Sequence, residues 1–367
     1  MIYLDSAATT LWKPERVYAA VQRSMLTLSS PGRGGYKSAM DAAEEVYACR
    51  TACARLFHAP GAENVVFTSN ASHGLNIAIH ALVAPGDRVV VSGFEHNSVT
   101  RPLRERGADT VVAGTKLFDP EDTLKEFRAK LSGADAAVCT HVSNVFGYVL
   151  PIYEIADLCR RFGVPLIVDA SQSAGTLEVD AQKLGAAFIA MPGHKGLFGP
   201  QGTGVLLCAR PGKSLMQGGT GSDSEMQTMP DYLPDCFEAG TLNVCGIAGL
   251  RAGLSYIEEV SPAAILRKER ELLEVAVSEL KSCDKLELFT GENQCGVLSL
   301  RGTLDCETAA ERLSAQGICV RAGLHCAPLA HASAGTLQTG TVRLSFSPFV
   351  TAEQVVTACR EIQRLMI

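Results

Sequence analysis

The sequence predicts an α/β fold: a large domain built on a mostly parallel sheet of about seven strands, then a smaller C-terminal α/β domain. Two patterns predict it. Through residue 209, short apolar runs recur with helical stretches between them, as buried strands of a covered sheet do. From about residue 246 the order changes, and a long helix leads into alternating helices and strands of a second unit. A chain of 367 residues has room for two or three domains and a large core. The boundaries expected are an arm over residues 1–20 packing with the small domain, a large domain over 21–255 and a small domain over 256–367.

Residues 1–35 read as an extended arm that ends in the loop Pro31-Gly32-Arg33-Gly34-Gly35-Tyr36. Apolar and small residues at helical spacing, from Ala39 to Leu56, predict a helix over 38–58 packed on the sheet. Strands are expected at Asn64–Thr68, Arg88–Ser92, Thr110–Ala113, Ala136–Thr140, Val164–Val168, Ala186–Met191 and Gly202–Ala209. In the small domain, helices are expected near Ala264–Leu280, Glu307–Gln316 and Ala352–Leu365. Strands there are expected near Leu286–Phe289, Gly296–Arg301, Cys319–Arg321 and Val342–Ser347. Glycine, serine and threonine dominate His331–Thr341, a composition that suggests a mobile loop.

Composition narrows the function class. The net charge of −6 comes with no basic block, which argues against nucleic acid or an anionic membrane as partner. No stretch approaches the ~20 apolar residues of a membrane span, and the N-terminus lacks a charged leader pattern. Thirteen scattered cysteines without a paired C-x-x-C framework suggest buried free thiols in a reducing cytoplasm, not disulfides or a metal site.

Ligand sites in such sheets gather at the carboxyl ends of the strands. One apolar run ends in Asp169, with Gln172 just after it. The next ends in Pro192-Gly193-His194-Lys195 and a glycine-rich turn. A carboxylate and a lysine facing one crevice suit pyridoxal 5′-phosphate. That cofactor needs a lysine amine to carry it and an acid partner for its ring nitrogen. His194 beside the small Gly193 would help hold its phosphate. The polar loop 69–76, feeding a helix, is a second anion site, with Ser72 adding a hydroxyl. Farther on, Cys326 follows a strand with His325 and Arg321 nearby, and positive neighbours raise the thiolate fraction of a cysteine. Arg343 offers a planar fork suited to a carboxylate.

At these residues the chain resembles the class V aminotransferase group of fold type I pyridoxal-phosphate enzymes, especially its cysteine desulfurases and selenocysteine lyases. The resemblance runs through nearly the whole chain. Leu4-Asp5-Ser6-Ala7-Ala8-Thr9-Thr10 is similar to an LDxAAxT opening, Glu95-His96 to the EH pair and Thr140–Gly147 to THVSNxxG. Phe237–Asn243 is similar to FEAGTxN and Arg321–Ala327 to RxGxHCA. The resemblance implies that His96 stacks on the pyridine ring and moves protons. It implies that Asn144 sits beside the ring hydroxyl and the substrate carboxylate, and that Gln172 lies at the ring hydroxyl. Arg343 would clamp the carboxylate, and Arg33 would lie near the site entrance on the substrate side. Thr241 would contact the phosphate of a neighbouring subunit, which implies a homodimer. Three positions depart from the pattern. Ala71 has no hydroxyl, so only its backbone can serve the phosphate; Pro192 stands in place of a hydroxyl residue; Leu324 stands in place of a histidine.

The function implied is a cysteine desulfurase that turns L-cysteine into L-alanine and leaves a persulfide on Cys326. Lys195, Cys326 and His96 would be its catalytic residues, and an acceptor protein or small thiol would take the sulfur. The alternatives are a selenocysteine lyase, a cysteine-sulfinate lyase or an aminotransferase on the same scaffold. A partner protein with a decayed site is a remoter one.

Overall fold

The computed structural model describes residues 1–32 and 34–366. The chain begins with β1 (Ile2–Tyr3), α1 (Glu15–Thr27) and α2 (Lys37–Leu56). Strands and helices then alternate: β2 (Val65–Thr68), α3 (Ala71–Leu82), β3 (Arg88–Ser92), α4 (Asn97–Glu105), β4 (Asp109–Ala113) and α5 (Pro120–Lys130). The alternation continues through β5 (Ala136–Thr140), α6 (Ile152–Phe162), β6 (Leu166–Asp169), α7 (Ala181–Leu184) and β7 (Phe188–Pro192), and ends at β8 (Gly204–Cys208).

These strands form one seven-stranded sheet in the order β2-β8-β7-β6-β5-β3-β4. Only β8 runs against its neighbours, β2 and β7. The sheet is buried on both faces because successive side chains point to opposite sides. Val90, Ala137 and Cys139 join one apolar cluster, whereas Val89, Val91, Ala136 and Val138 join the other.

After the sheet come α8 (Val244–Val260) and α9 (Pro262–Leu280). The smaller domain then adds β9 (Glu287–Phe289), β10 (Val297–Arg301), α10 (Cys306–Ala315), β11 (Ile318–Cys319) and β12 (Arg321–Gly323). Its last elements are α11 (Pro328–Ser333), β13 (Thr341–Ser345) and α12 (Ala352–Met366). Its antiparallel sheet has the order β12-β13-β10-β9, and a separate core joins Leu298, Leu300, Val342 and Leu344 to Leu272, Leu313 and Val355 of α9, α10 and α12. No helix among the described residues is long and apolar enough to cross a membrane.

Two expectations are corrected. The first 35 residues are not one extended arm, because α1 lies inside them and packs on α8. Val17, Val21 and Ser24 follow helical spacing, but the serine interrupts the apolar stripe that would have revealed it. The extended part is the start of the chain. There β1 pairs with β11, and the Ser345 amide donates to the Leu4 carbonyl at 2.8 Å. The second correction concerns 331–341. Pro328–Ser333 is helical, and His331 and Thr336 are both fully buried, with Nδ1 and Oγ1 2.7 Å apart. Small polar residues serve a packed turn as well as a loose loop, so composition did not separate the two.

Beneath the large sheet, Glu238 is clamped by Arg50 of α2. Arg50 Nη1 donates to Oε1 at 2.9 Å, the Phe67 amide donates to the same oxygen at 2.6 Å, and the guanidinium lies 4.8 Å over the Phe67 ring. Both members are nearly excluded from solvent, and burial pushes the Glu238 carboxyl up against the pull of Arg50. Removing one member of such a pair strands the other charge. Arg50→Met is therefore expected to cost about 3–5 kcal/mol, read as a lower urea midpoint at neutral pH; an unchanged midpoint would show that the pair carries no stability.

Candidate active site

Thr140, Asp169 and Ala190 are neighbours in register across β5, β6 and β7. The chain segments that leave these strands therefore emerge at one level, together with the start of α3. Two glycines let the turns touch. A Cβ on Gly175 would lie 2.2 Å from the Gly196 carbonyl oxygen, and one on Gly196 would lie 2.3 Å from the Ala174 oxygen. This contact draws the turn after Asp169 against the turn that carries Lys195. The result is a cavity of about 190 Å³ lined by Ala71, Ser72, His96, Asn144, Asp169, Gln172, His194 and Lys195, all eight singled out from the sequence.

Burial pushes the Lys195 ammonium down from 10.5 to about 8, and Asp169 is the largest opposing influence. Asp169 itself is 3% exposed and accepts the Ser171 amide at 2.9 Å. His96 caps α4, and its Nδ1 accepts the Ser98 amide at 3.0 Å. In the neutral ring that bond places the proton on Nε2. Burial, opposed by Asp169, lowers the His96 pKa and favours that neutral ring. Burial, aided by Lys195 and Lys13, pushes His194 down to about 4; its Nδ1 lies 3.0 Å from Thr9 Oγ1. Gln172 donates to the Ala7 carbonyl at 2.9 Å. At the start of α3, Asn70 accepts the His73 amide, and Ser72 Oγ lies 2.6 Å from Ser98 Oγ. First-turn amides of a helix have no intrahelical acceptor, so this end can receive an anion.

The small domain supplies the other wall. Cys326 is the exposed one of the thirteen cysteines; nine are buried and three are half-buried. His325 and Cys326 both have positive φ, 48° and 56°. Two donors from the large domain hold that shape. The Asn97 amide donates to the Cys326 carbonyl at 2.7 Å, and Asn144 Nδ2 donates to the His325 carbonyl at 2.8 Å. Arg343 is 2% exposed. Its Nη1 donates to the Asn144 carbonyl at 2.9 Å and its Nη2 to Asp5 at 2.8 Å, while Nε is buried with no partner. A buried donor left open is costly, and an entering carboxylate would satisfy it.

Several expectations change here. His325 is not a cation beside the thiol: its ring turns inward to Thr341 and stacks on His331, and burial, with Arg343 adding to it, pushes it down to about 2. Arg321 is near Cys326 but bound to Asp5. Thr241, expected to serve a neighbouring subunit and not its own cavity, is exposed and lines a different cavity, of about 180 Å³, with Glu238 and His73. Arg33 lies outside the described residues. Two residues at the centre of these contacts were missed. Ser98 touches both His96 and Ser72, and its place as the second residue of α4, two after His96, was the available signal. Asp5 joins Arg343 to Arg321 across more than 300 residues, and no local pattern reveals that.

The comparisons with known proteins place the chain in a family. The family model for aminotransferase class-V matches residues 2–357. A probable cysteine desulfurase of Methanothermobacter thermautotrophicus is 34% identical, with 96% of this chain and 92% of that protein covered. A cysteine desulfurase of Shigella flexneri is 30% identical over 100% of this chain and 94% of its own length. Among solved structures, the apo cysteine desulfurase of Thermococcus onnurineus superposes with a TM-score of 0.89 at 30% identity, covering 100% of this chain and 94% of the other.

The depressed Lys195 gives a test. The lowered pKa makes the amine neutral above about pH 8, where an ordinary lysine is still charged. Reductive methylation of cofactor-free protein, followed by peptide mass spectrometry, is expected to give a Lys195 midpoint near 8. Asp169→Asn removes the charge that favours the ammonium and is expected to lower that midpoint further; a midpoint near that of free lysine would refute the burial of this amine.

Proposed function

The chain belongs to the class V aminotransferase family and to the cysteine desulfurases within it, and on that premise we propose that it converts L-cysteine to L-alanine with pyridoxal 5′-phosphate carried by Lys195 and the sulfur taken by Cys326. The observation that carries the reading is one meeting of groups. A buried lysine faces a strand-end carboxylate, and the loop of the exposed Cys326 is pinned beside them at Asn97 and Asn144.

When bound, the cofactor supplies an electron sink for charge developing at the substrate Cα. The residues present fit it. Asp169 would favour the protonated ring nitrogen, and His96 would lie against the ring. The start of α3 with Ser72, and His194 beside it, would take the phosphate. Ser72 and Ser98 bring two hydroxyls to this end of the cavity, where Pro192 and Ala71 bring none. Arg343 would hold the α-carboxylate through the donors that Asn144 and Asp5 leave free. Lys195, neutral above about pH 8, removes the Cα proton. The Cys326 thiolate then attacks the substrate sulfur. The carbon–sulfur bond breaks with its electron pair left on carbon, and a sulfur–sulfur bond forms. The balance is L-cysteine plus thiol giving L-alanine plus persulfide.

The exposure of Cys326 supports handover of the sulfur to an acceptor protein or small thiol. Thr241, exposed and away from the Lys195 cavity, suits a homodimer in which it serves the partner's phosphate.

Anaerobic protein given L-cysteine and a thiol reductant is expected to release alanine and sulfide in equal amounts. Cys326→Ala should lower both about 100-fold or more and keep the visible absorbance of the lysine-bound cofactor, whereas Lys195→Ala should lose both turnover and colour. A coloured wild-type protein that makes neither product would remove L-cysteine as the substrate.

A further inference from the structure

The pairing of β3 with β5 stops short of the site. Its last partners are Val91 and Val138, whereas β5 and β6 stay paired as far as Thr140 and Asp169. The Thr140 amide donates to a side chain instead, Glu95 Oε1 at 2.8 Å. The same oxygen accepts the Ser92 amide at 3.3 Å and the Ser92 hydroxyl, and that hydroxyl accepts the Phe94 amide at 3.2 Å. Glu95 thus closes the turn after β3 and locks it to the end of β5. Two residues that line the Lys195 cavity flank this lock, Thr140 and His96. The next amide along the chain, that of Asn97, donates to the Cys326 carbonyl at 2.7 Å.

The state of this carboxyl follows from its partners. Glu95 is fully buried, its three donors are uncharged, and all three meet Oε1. Oε2 is buried without a partner. Stranding a bare carboxylate oxygen costs far more than stranding a hydroxyl, so the proton belongs on Oε2. The titratable groups that face Glu95 from the neighbouring strands are Cys139 of β5 and Asp169 of β6, both acids. Burial pushes the carboxyl up from 4.5 to about 8 against the pull of Ser92 and Thr140, and Asp169 adds to the rise.

We propose that Glu95 is a positioning residue held as an uncharged acid: its accepting oxygen fixes His96, and the Asn97 clamp on the Cys326 loop, relative to Thr140, and its proton leaves Asp169 as the carboxylate charge for the cofactor ring. The effect on turnover rests on the functional reading above; the contacts and the protonation of Glu95 do not.

The test uses holoenzyme at neutral pH with Glu95→Gln, which keeps the side-chain length and the accepting carbonyl, Glu95→Asp, which is a methylene short, and Glu95→Ala. The infrared difference between wild type and Glu95→Gln is expected to show the carbonyl stretch of a protonated carboxylic acid; its absence overturns the proposal. By hydrogen exchange read on peptides, the Thr140 and Asn97 amides should exchange at least about tenfold faster in Glu95→Asp and Glu95→Ala, and within about threefold of wild type in Glu95→Gln. With L-cysteine, kcat per cofactor-loaded site should fall at least about tenfold in Glu95→Asp and Glu95→Ala while KM changes less than about threefold, and Glu95→Gln should restore it. A wild-type kcat per loaded site in Glu95→Ala would make the residue structural only, and a Glu95→Gln protein no better than Glu95→Ala would deny the accepting oxygen its role; either overturns the proposal. Should Glu95→Asp and Glu95→Ala fail to fold, Glu95→Gln still decides, since a missing acid band or a fast-exchanging Thr140 amide there overturns the proposal. If wild type turns over no L-cysteine, the functional reading fails while the acid band and the exchange rates still decide the role of Glu95.

Discussion

The parallel register of β5, β6 and β7 is the constraint on which the site depends. Parallel strands must all be re-entered from the same end, so their exits share one edge. Strands buried on both faces have no room for polar side chains along their length. The carboxylate, the imidazole and the amine are consequently expelled to the strand ends, where Asp169, His96 and Lys195 meet. That arrangement buries Lys195 without a direct salt bridge, and its lowered pKa follows from the burial.

A second layer of organisation is the seam between the domains. Asn144 stands at its middle: its side chain donates to the loop of Cys326, and its carbonyl accepts from Arg343. Arg343 in turn meets Asp5 of the arm, which the Ser345 amide and the Leu4 carbonyl tie to β13. The group that would grip a carboxylate and the group that would attack sulfur are thereby indexed to the same asparagine. A shift of the small domain moves both together relative to Lys195.

Much of the fold was legible because its signals are local. Apolar runs gave the strands, and the residues just after them gave Asp169, Lys195 and His96. The eight residues around the Lys195 cavity were likewise named from short motifs. What stayed hidden depends on contacts far apart in sequence or on burial. Asp5 looks like an ordinary residue of an arm until Arg321 and Arg343 are brought to it. His325 reads as a cation beside a thiol, yet its ring is packed against His331, where a charge has no solvent. The α1 stripe was masked by Ser24, whose hydroxyl donates to the Val21 carbonyl within its own helix and so tolerates burial. Thr241 carries no chemistry that a single chain displays, and only its place in the chain singled it out.

The conformation of the Cys326 loop has a consequence for protein engineering. Left-handed backbone at two consecutive residues with side chains costs about 1–2 kcal/mol at each, and the donors that offset it, Asn97 and Asn144, belong to the other domain. The eight-residue stretch 321–328 is thus not a portable module. Grafted onto a foreign scaffold it would carry its cysteine but relax to a commoner backbone, and the thiol would face elsewhere. A transplant that keeps the geometry has to move the donor surface with the loop, which makes the interdomain face, more than the RxGxHCA letters, the unit of design.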